Sequence, residues 1–339
     1  MIDYQLLQPL ILELHRLIRR QIIDACEQVS VEELSQVAGH QGGDTIYAID
    51  KISESLLVDF FEEKLAHIYP LVLIAEGLKG GQMVLPRGSH EKDALLRVIV
   101  DPIDGTRGLM YQKRSAWILT GIAPNRGADT CLQDIEFAMQ SEIPLVKQHL
   151  SDCLWAFKGR GAFGHRDNRC TGETSPLVIR PSQARDLMHG FAMFARFVPG
   201  GRDILAAVDD ELIQRLLGPV QKGQAFCFED QYISTGGQLY ELMMGHDRFV
   251  ADVRPLLERP LEERGLSLGL CCHPYDICTE LIAREAGVAV TDPKGERLQA
   301  PLDVFSGISW VGFANLALQK EIMPHFSEVL KKYRLLPRN

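Results

Sequence analysis

The hexapeptide Asp101-Pro102-Ile103-Asp104-Gly105-Thr106 sets two carboxylates three residues apart. It follows Val98-Ile99-Val100, an apolar run that reads as the end of a buried strand. Pro102 has no N–H to give to a ladder, so the strand is expected to stop there. Gly105 admits a backbone turn that other residues resist. Two carboxylates at a strand mouth can hold a divalent cation, and the N–H groups of a Gly-Thr turn can face an anion. These are the parts of a metal-dependent phosphoesterase. A plain surface turn is the alternative, because Asp, Pro and Gly are ordinary turn residues.

Other acids stand in similar settings. The apolar run 70–75 ends in Glu76-Gly77, and a carboxylate there is costly to bury unpaired. Asp276 opens an expected helix whose inward residues are Ile277, Leu281, Ile282 and Ala286, closed by Gly287. Asp50 lies where an extended segment, 45–49, gives way to a helix; an acid favouring the helix dipole is its simplest reading. Glu76, Asp101, Asp104 and Asp276 together could supply the oxygen ligands of hard cations, and would repel one another without them. Arg107, Lys113 and Arg114 follow the hexapeptide. They suit a second phosphate or anionic group, or are solvated loop cations.

These residues need elements to hold them. Residues 4–28 read as an amphipathic helix with Leu6, Leu10, Leu14, Ile18 and Ile22 inward and its start limited by Pro9. Residues 30–39 read as a second helix with Ser30 as N-cap and Glu33 at the capping-box position. Strands are expected at 115–123, 135–139, 152–158, 177–180 and 309–313, and helices at 203–217 and 316–333. Phe249–Asp252 is a short strand ending in an acid, and 254–267 a charged surface excursion. Pro181 marks a soft boundary between an N-terminal α+β part, 1–180, carrying the hexapeptide, and a C-terminal α/β part, 181–339, within one compact domain. Residues 159–164 spell G-x-G-x-x-G after a strand, but no apolar helical face follows; a glycine-rich hairpin fits better than a dinucleotide turn.

Composition excludes some classes of function. The chain has 339 residues, 46% hydrophobic and 24% charged, with a net charge of −9. That balance, without a basic stripe, argues against a nucleic-acid polymer as partner. A small anionic substrate fits only where metal ions reverse the local sign. The eight cysteines form no C-x-x-C pair and read as reduced, mostly buried residues. Cys271, Cys272, His273 and Cys278 cluster, without the paired spacing of a structural zinc site. Asp3 and Glu13 interrupt the N-terminal apolar residues, which is unlike a signal peptide. No apolar run reaches the roughly 18 residues of a membrane span. A cytoplasmic protein without a membrane partner is expected.

Taken in order, these pieces resemble the inositol monophosphatase superfamily, which includes fructose-1,6-bisphosphatases and bisphosphate nucleotidases. Its signature is an Asp, a Glu-Glu pair, Asp-Pro-(Ile/Leu)-Asp-(Gly/Ser)-Thr, and Trp-Asp before a helix ending in Glu-Ala-Gly. Here these read as Asp50, Glu76-Gly77, the 101–106 hexapeptide, and Tyr275-Asp276 leading to Glu285-Ala286-Gly287, over about 44–315. The resemblance implies a layered α/β/α/β/α sandwich of the α+β or α/β class. It implies a magnesium-dependent phosphomonoesterase that hydrolyses an inositol phosphate, sugar phosphate or bisphosphate nucleotide with metal-activated water, and a homodimer.

Residue by residue, it implies that Glu76 and the Ile103 carbonyl bind a first magnesium ion. Asp101 would bridge two ions, and Asp104 and Asp276 would hold the second. Thr106 with Asp50 would help to activate water, and the amides of Gly105 and Thr106 would bind phosphate. Arg107, Ser234, Thr235, Gly236 and Asp252 fall at substrate-contacting positions. Gly77 stands where a second Glu is usual, which bears on a third, weaker metal and on lithium sensitivity. Tyr275 stands for Trp, and Arg107 where Asn is common. The alternative is a catalytically degenerate relative that binds a phosphorylated ligand or protein partner without turnover, favoured by Gly77.

Overall fold

In the computed structural model, which describes residues 2–41, 44–47, 49 and 51–337, the chain opens with helix α1 (Tyr4–Gln28). Asp3 caps it, its carboxylate accepting from Gln5 N–H at 3.0 Å. The helix runs through Pro9 instead of starting after it; a proline so near the start removes one ladder bond. Its buried stripe is Leu7, Ile11, Leu14, His15, Ile18 and Ile22, which leaves Leu6, expected inward, 60% exposed. Helix α2 (Val31–Leu34) has the expected Ser30–Glu33 capping box but ends early. Gly39 disfavours its continuation, and a strand pair follows, β1 (Val37–Gln41) with β2 (Asp44–Tyr47). Helix α3 (Lys51–Lys64) comes next.

The first sheet takes β3 (Leu71–Ala75), β4 (Gln82–Leu85) and β5 (Leu96–Asp104). After helix α4 (Thr106–Met110) it takes β6 (Ala116–Pro124), β7 (Phe137–Ile143), β8 (Leu150–Phe157), β9 (Ala162–Asn168) and β10 (Thr174–Pro176). Their spatial order is β10-β9-β8-β7-β6-β5-β3-β4. Strands β3 and β5 are parallel, with Ala75 opposite Val100. The next residue on each is Glu76 and Asp101, so two acids stand side by side where β3 ends.

The second sheet contains β11 (Gly190–Phe194), β12 (Cys227–Phe228), β13 (Asp247–Asp252), β14 (Ala289–Thr291) and β15 (Trp310–Phe313), in the order β12-β11-β13-β15-β14. Its helices are α5 (Arg202–Leu217), α6 (Thr235–Met243), α7 (Glu258–Glu262), α8 (Glu280–Glu285) and α9 (Leu316–Lys332). Helices α1 and α3 cover one face of the first sheet. Helices α6 and α8 lie between the sheets, and α5 and α9 cover the far face of the second. This is the expected five-layer α/β/α/β/α arrangement. Strand β5 is buried on both sides: Leu96, Val98 and Val100 enter the core under α1, and Ile99 enters the core between the sheets. That double burial is why the strand reads as an unbroken apolar run. The 254–267 segment is tied down, not a free excursion, by buried Leu257 and Leu261. Among the described residues no helix is long and apolar enough to cross a membrane.

A candidate metal centre at the end of the central strand

Side chains three apart on a regular strand point to opposite faces. Asp101 and Asp104 escape that rule through a bulge. Asp101 pairs with Leu119 and Asp104 with Trp117, so β5 advances three residues while β6 advances two. The extra residue brings both carboxylates to one side. Pro102 therefore does not end the strand, as expected, but sits within the bulge, where a missing N–H breaks no ladder bond. Asp276 joins them from the turn before α8, and ligand oxygens of Asp101, Asp104 and Asp276 lie within 4.8 Å of one another.

Each carboxylate is held by the backbone. Asp101 Oδ1 accepts from Ile103 N–H at 3.0 Å. Asp276 Oδ2 accepts from His273 N–H at 2.6 Å, a local bond that competes with helix formation; α8 accordingly starts at Glu280, later than expected. Asp104 docks on the N-terminus of α6. Its Oδ2 accepts from Ser234 Oγ at 2.8 Å and Gly236 N–H at 2.6 Å, and its Oδ1 from Thr235 N–H at 3.2 Å. That helix end favours a negative charge. Gly236 is required for the approach: a Cβ there would lie 2.5 Å from Leu119 Cδ2 and 3.0 Å from Asp104 Oδ2.

Burial raises all three carboxyl pKa values. Asp101 goes well above its ordinary range through burial, then through Asp104, Asp276 and Glu76. Asp276 rises through burial and then Asp104. For Asp104, burial outweighs the three hydrogen bonds that favour its charged form. Buried like charges are stabilised by a cation, and a set of carboxylate oxygens suits a hard divalent ion such as magnesium. The donor chemistry therefore fits the metal.

A narrow cavity of about 70 Å³ opens on these groups. Glu76, Ile103, Gly105, Thr106, Arg107 and Tyr275 line it with the three aspartates, as do Ser234 and Thr235. Thr106 Oγ1 donates to the Ile103 carbonyl at 2.8 Å. Asp50 lies outside the described residues. Gly77 has a φ of +90°, so the position where a second Glu is usual has left-handed backbone.

Some residues have other surroundings than the sequence implied. Gly236 bonds Asp104 and does not line the cavity. Asp252 is fully buried and grips Arg254, with Oδ1 at 2.8 Å from Nε and Oδ2 at 2.5 Å from Nη2. It is Arg254 that reaches the cavity, with its guanidinium 4.5 Å from the Phe197 ring centre. Phe197, Ile233, Leu270 and Cys271 also line it. Of these five only Cys271 stood out in the sequence, and there as part of a cysteine cluster, since only the folded chain joins 197, 254 and 270 to the hexapeptide. Arg114 turns away, paired with Asp230 and Glu241 over the Tyr232 ring.

Two other motifs find local explanations. The Gly159 and Gly161 amides of the β8–β9 hairpin each donate to the Glu285 carboxylate at 2.7 Å, so a side chain occupies the turn that a dinucleotide would need. Cys271 and Cys272 are buried free thiols whose pKa values are raised by burial. Among the described residues the ligand group that forms is the aspartate trio, without cysteine.

No family model and no curated protein matches the sequence. Solved structures do match the fold. Fructose-1,6-bisphosphatase from Leishmania major is 14% identical with a TM-score of 0.70, covering 96% of this chain and 94% of that one. The extragenic suppressor protein suhB from Bartonella henselae is 14% identical with a TM-score of 0.64, covering 95% and 98%. An inositol monophosphatase–fructose 1,6-bisphosphatase is 18% identical with a TM-score of 0.61, covering 92% and 98%. The chain has the inositol monophosphatase/fructose-1,6-bisphosphatase fold, with a divergent sequence.

Proposed function

We propose that a chain of this fold, with these carboxylates, is a magnesium-dependent phosphomonoesterase acting on a small phosphorylated metabolite. The observation that carries the proposal is the buried trio of Asp101, Asp104 and Asp276, within 4.8 Å of one another on a cavity shared with Glu76 and the Gly105-Thr106 turn. Glu76, Asp101, the Ile103 carbonyl, Asp104 and Asp276 would hold two magnesium ions. When bound, such ions polarise phosphate oxygens and make water a better nucleophile near neutral pH. The amides of Gly105 and Thr106 would bind the phosphate oxygens, and Arg107 would add positive charge on the same wall. Thr106 and Asp50 would orient the attacking water and take its proton. The helix end at Ser234–Gly236 serves the reaction indirectly, by fixing Asp104. Gly77 brings no carboxylate, so two ions rather than three are assigned. A cytoplasmic homodimer is part of the same proposal, on the sequence resemblance.

Gly77 favours one other reading, a relative that binds a phosphorylated ligand or a protein partner without turnover. Phosphate release separates them, measured over inositol phosphates, sugar phosphates and bisphosphate nucleotides with magnesium or with chelator. Magnesium-dependent release from at least one class is expected. A folded protein that binds magnesium and releases no phosphate from any of them overturns the enzyme assignment.

A further inference from the structure

We propose that Arg254 is a specificity residue for a second anionic group on the substrate, so that the molecule cleaved carries a phosphate and a separate carboxylate or phosphate. This rests on the phosphomonoesterase assignment and extends it. Arg254 is only 5% exposed, yet it lines the cavity that holds the aspartate trio. Its orientation is over-determined. Asp252 takes Nε and one N–H of Nη2, the Leu270 carbonyl takes one N–H of Nη1 at 2.8 Å, and the Phe197 ring supports the guanidinium. A guanidinium has five N–H groups, so one on each terminal nitrogen is left by these three bonds.

Buried donors of a cation need acceptors, and guanidinium N–H groups match the oxygens of a carboxylate or phosphate. The alternative occupant is a sugar hydroxyl, which a carboxylate at 252 would recognise as an acceptor. Asp252 is closed to that role, being fully buried with both oxygens on Arg254. That wall of the cavity thus presents donors. Arg107 lines the same cavity and adds to its attraction for a second negative group.

Removing Arg254 alone would strand the buried Asp252 charge and could unfold the protein. The test therefore uses Asp252→Asn/Arg254→Gln, which replaces the ion pair with two neutral hydrogen-bonding groups. Full-length wild type and double variant, each checked for cooperative melting, are assayed with magnesium on three matched pairs. These are phosphoglycolate against ethylene glycol phosphate, phosphoglycerate against glycerol phosphate, and a hexose bisphosphate against the hexose monophosphate. Wild type should prefer the doubly anionic member of at least one pair in kcat/KM by about tenfold or more, the scale of a charge-assisted hydrogen bond. The double variant should lose most of that ratio. Equal use of both members by wild type, or a ratio that survives in the double variant, overturns the role of Arg254. If folded wild type hydrolyses none of the six compounds, the decision passes to calorimetric binding of the same pairs. Tighter binding of a doubly anionic member, lost in the double variant, upholds the Arg254 subsite while the phosphatase assignment fails. Equal binding of both members overturns the subsite as well.

Discussion

Replacing Asp104 by Asn separates the charge of the aspartate trio from its shape. Ligand oxygens of the three residues lie within 4.8 Å of one another. Where two of them are charged they repel by at least about 3.5 kcal/mol at an effective dielectric constant of about 20, and the raised pKa values keep part of that repulsion from developing. The Asn side chain removes a charge at nearly constant volume. Its one carbonyl oxygen can still accept from Ser234 Oγ and Gly236 N–H, which both meet Asp104 Oδ2. Its amide must then face the Thr235 N–H that Oδ1 accepts, a donor against a donor, at a cost of about 1–2 kcal/mol. The balance makes Asp104→Asn about 2 kcal/mol more stable than wild type in chelator at pH 8. An unfolding entropy of about 2.1 cal/mol/K per residue turns that into a rise of about 3 °C in melting temperature. Magnesium should raise the wild-type melting temperature and leave the variant almost unmoved, while phosphate release falls at least about 30-fold, the scale of one lost electrostatic group. Thermal melts in EDTA and in saturating magnesium check this. A variant that melts below wild type in EDTA, or gains as much from magnesium, refutes the trio as a cation site.

Gly236→Ala forces a Cβ to 2.5 Å from Leu119 Cδ2 and should cost about 1–3 kcal/mol in urea unfolding, with weaker magnesium binding because Asp104 is displaced; unchanged values on both counts would show that α6 does not position the carboxylate. His15 is buried with Ser141 Oγ and Thr120 Oγ1 each 2.9 Å away, and burial lowers its pKa to about 3. The unfolded chain therefore binds a proton that the folded one refuses, so this contribution is full above about pH 6.5 and lost as the pH falls. From pH 7 to pH 5 wild type should lose about 2 kcal/mol more stability than His15→Gln, and equal losses in urea unfolding would count against it. With a φ of +90° at position 77, Gly77→Ala and Gly77→Glu should each lose about 1–2 kcal/mol; a fully stable Glu variant by thermal melt would mean that the backbone there does not require glycine.

What could be read from the sequence was what local chemistry dictates. The run before Asp101 is apolar because β5 is buried on both faces, and that burial leaves a pattern in consecutive residues. The capping box at Ser30 and Glu33 is likewise local. The proline at 102 marks the site but does not distinguish its role, because a missing N–H permits a bulge as readily as it ends a strand. The Ser234–Gly236 turn was placed at the cavity, yet its amides serve Asp104, and a preference for anions at a helix end cannot distinguish a substrate phosphate from a carboxylate of the same chain. Arg254 was invisible for a different reason. Its side chain is aimed by Asp252, Leu270 and Phe197, and nothing in the residues around 254 encodes that three-part clamp.

The departures from the family pattern change the charge at the cavity in one direction. Position 77 brings glycine in place of a carboxylate, on backbone that favours glycine. Position 252 keeps an acid, but one whose charge is met by Arg254. Position 107 brings an arginine onto the cavity wall. Together they remove acceptors and add donors on the cavity that the intact aspartate trio shares. A site altered only by loss of function would be expected to lose carboxylates at the trio too, since three buried like charges are costly to maintain without a cation. Retaining that cost fits a trio that holds a cation, and Arg107 and Arg254 on the same cavity fit the doubly anionic substrate proposed above.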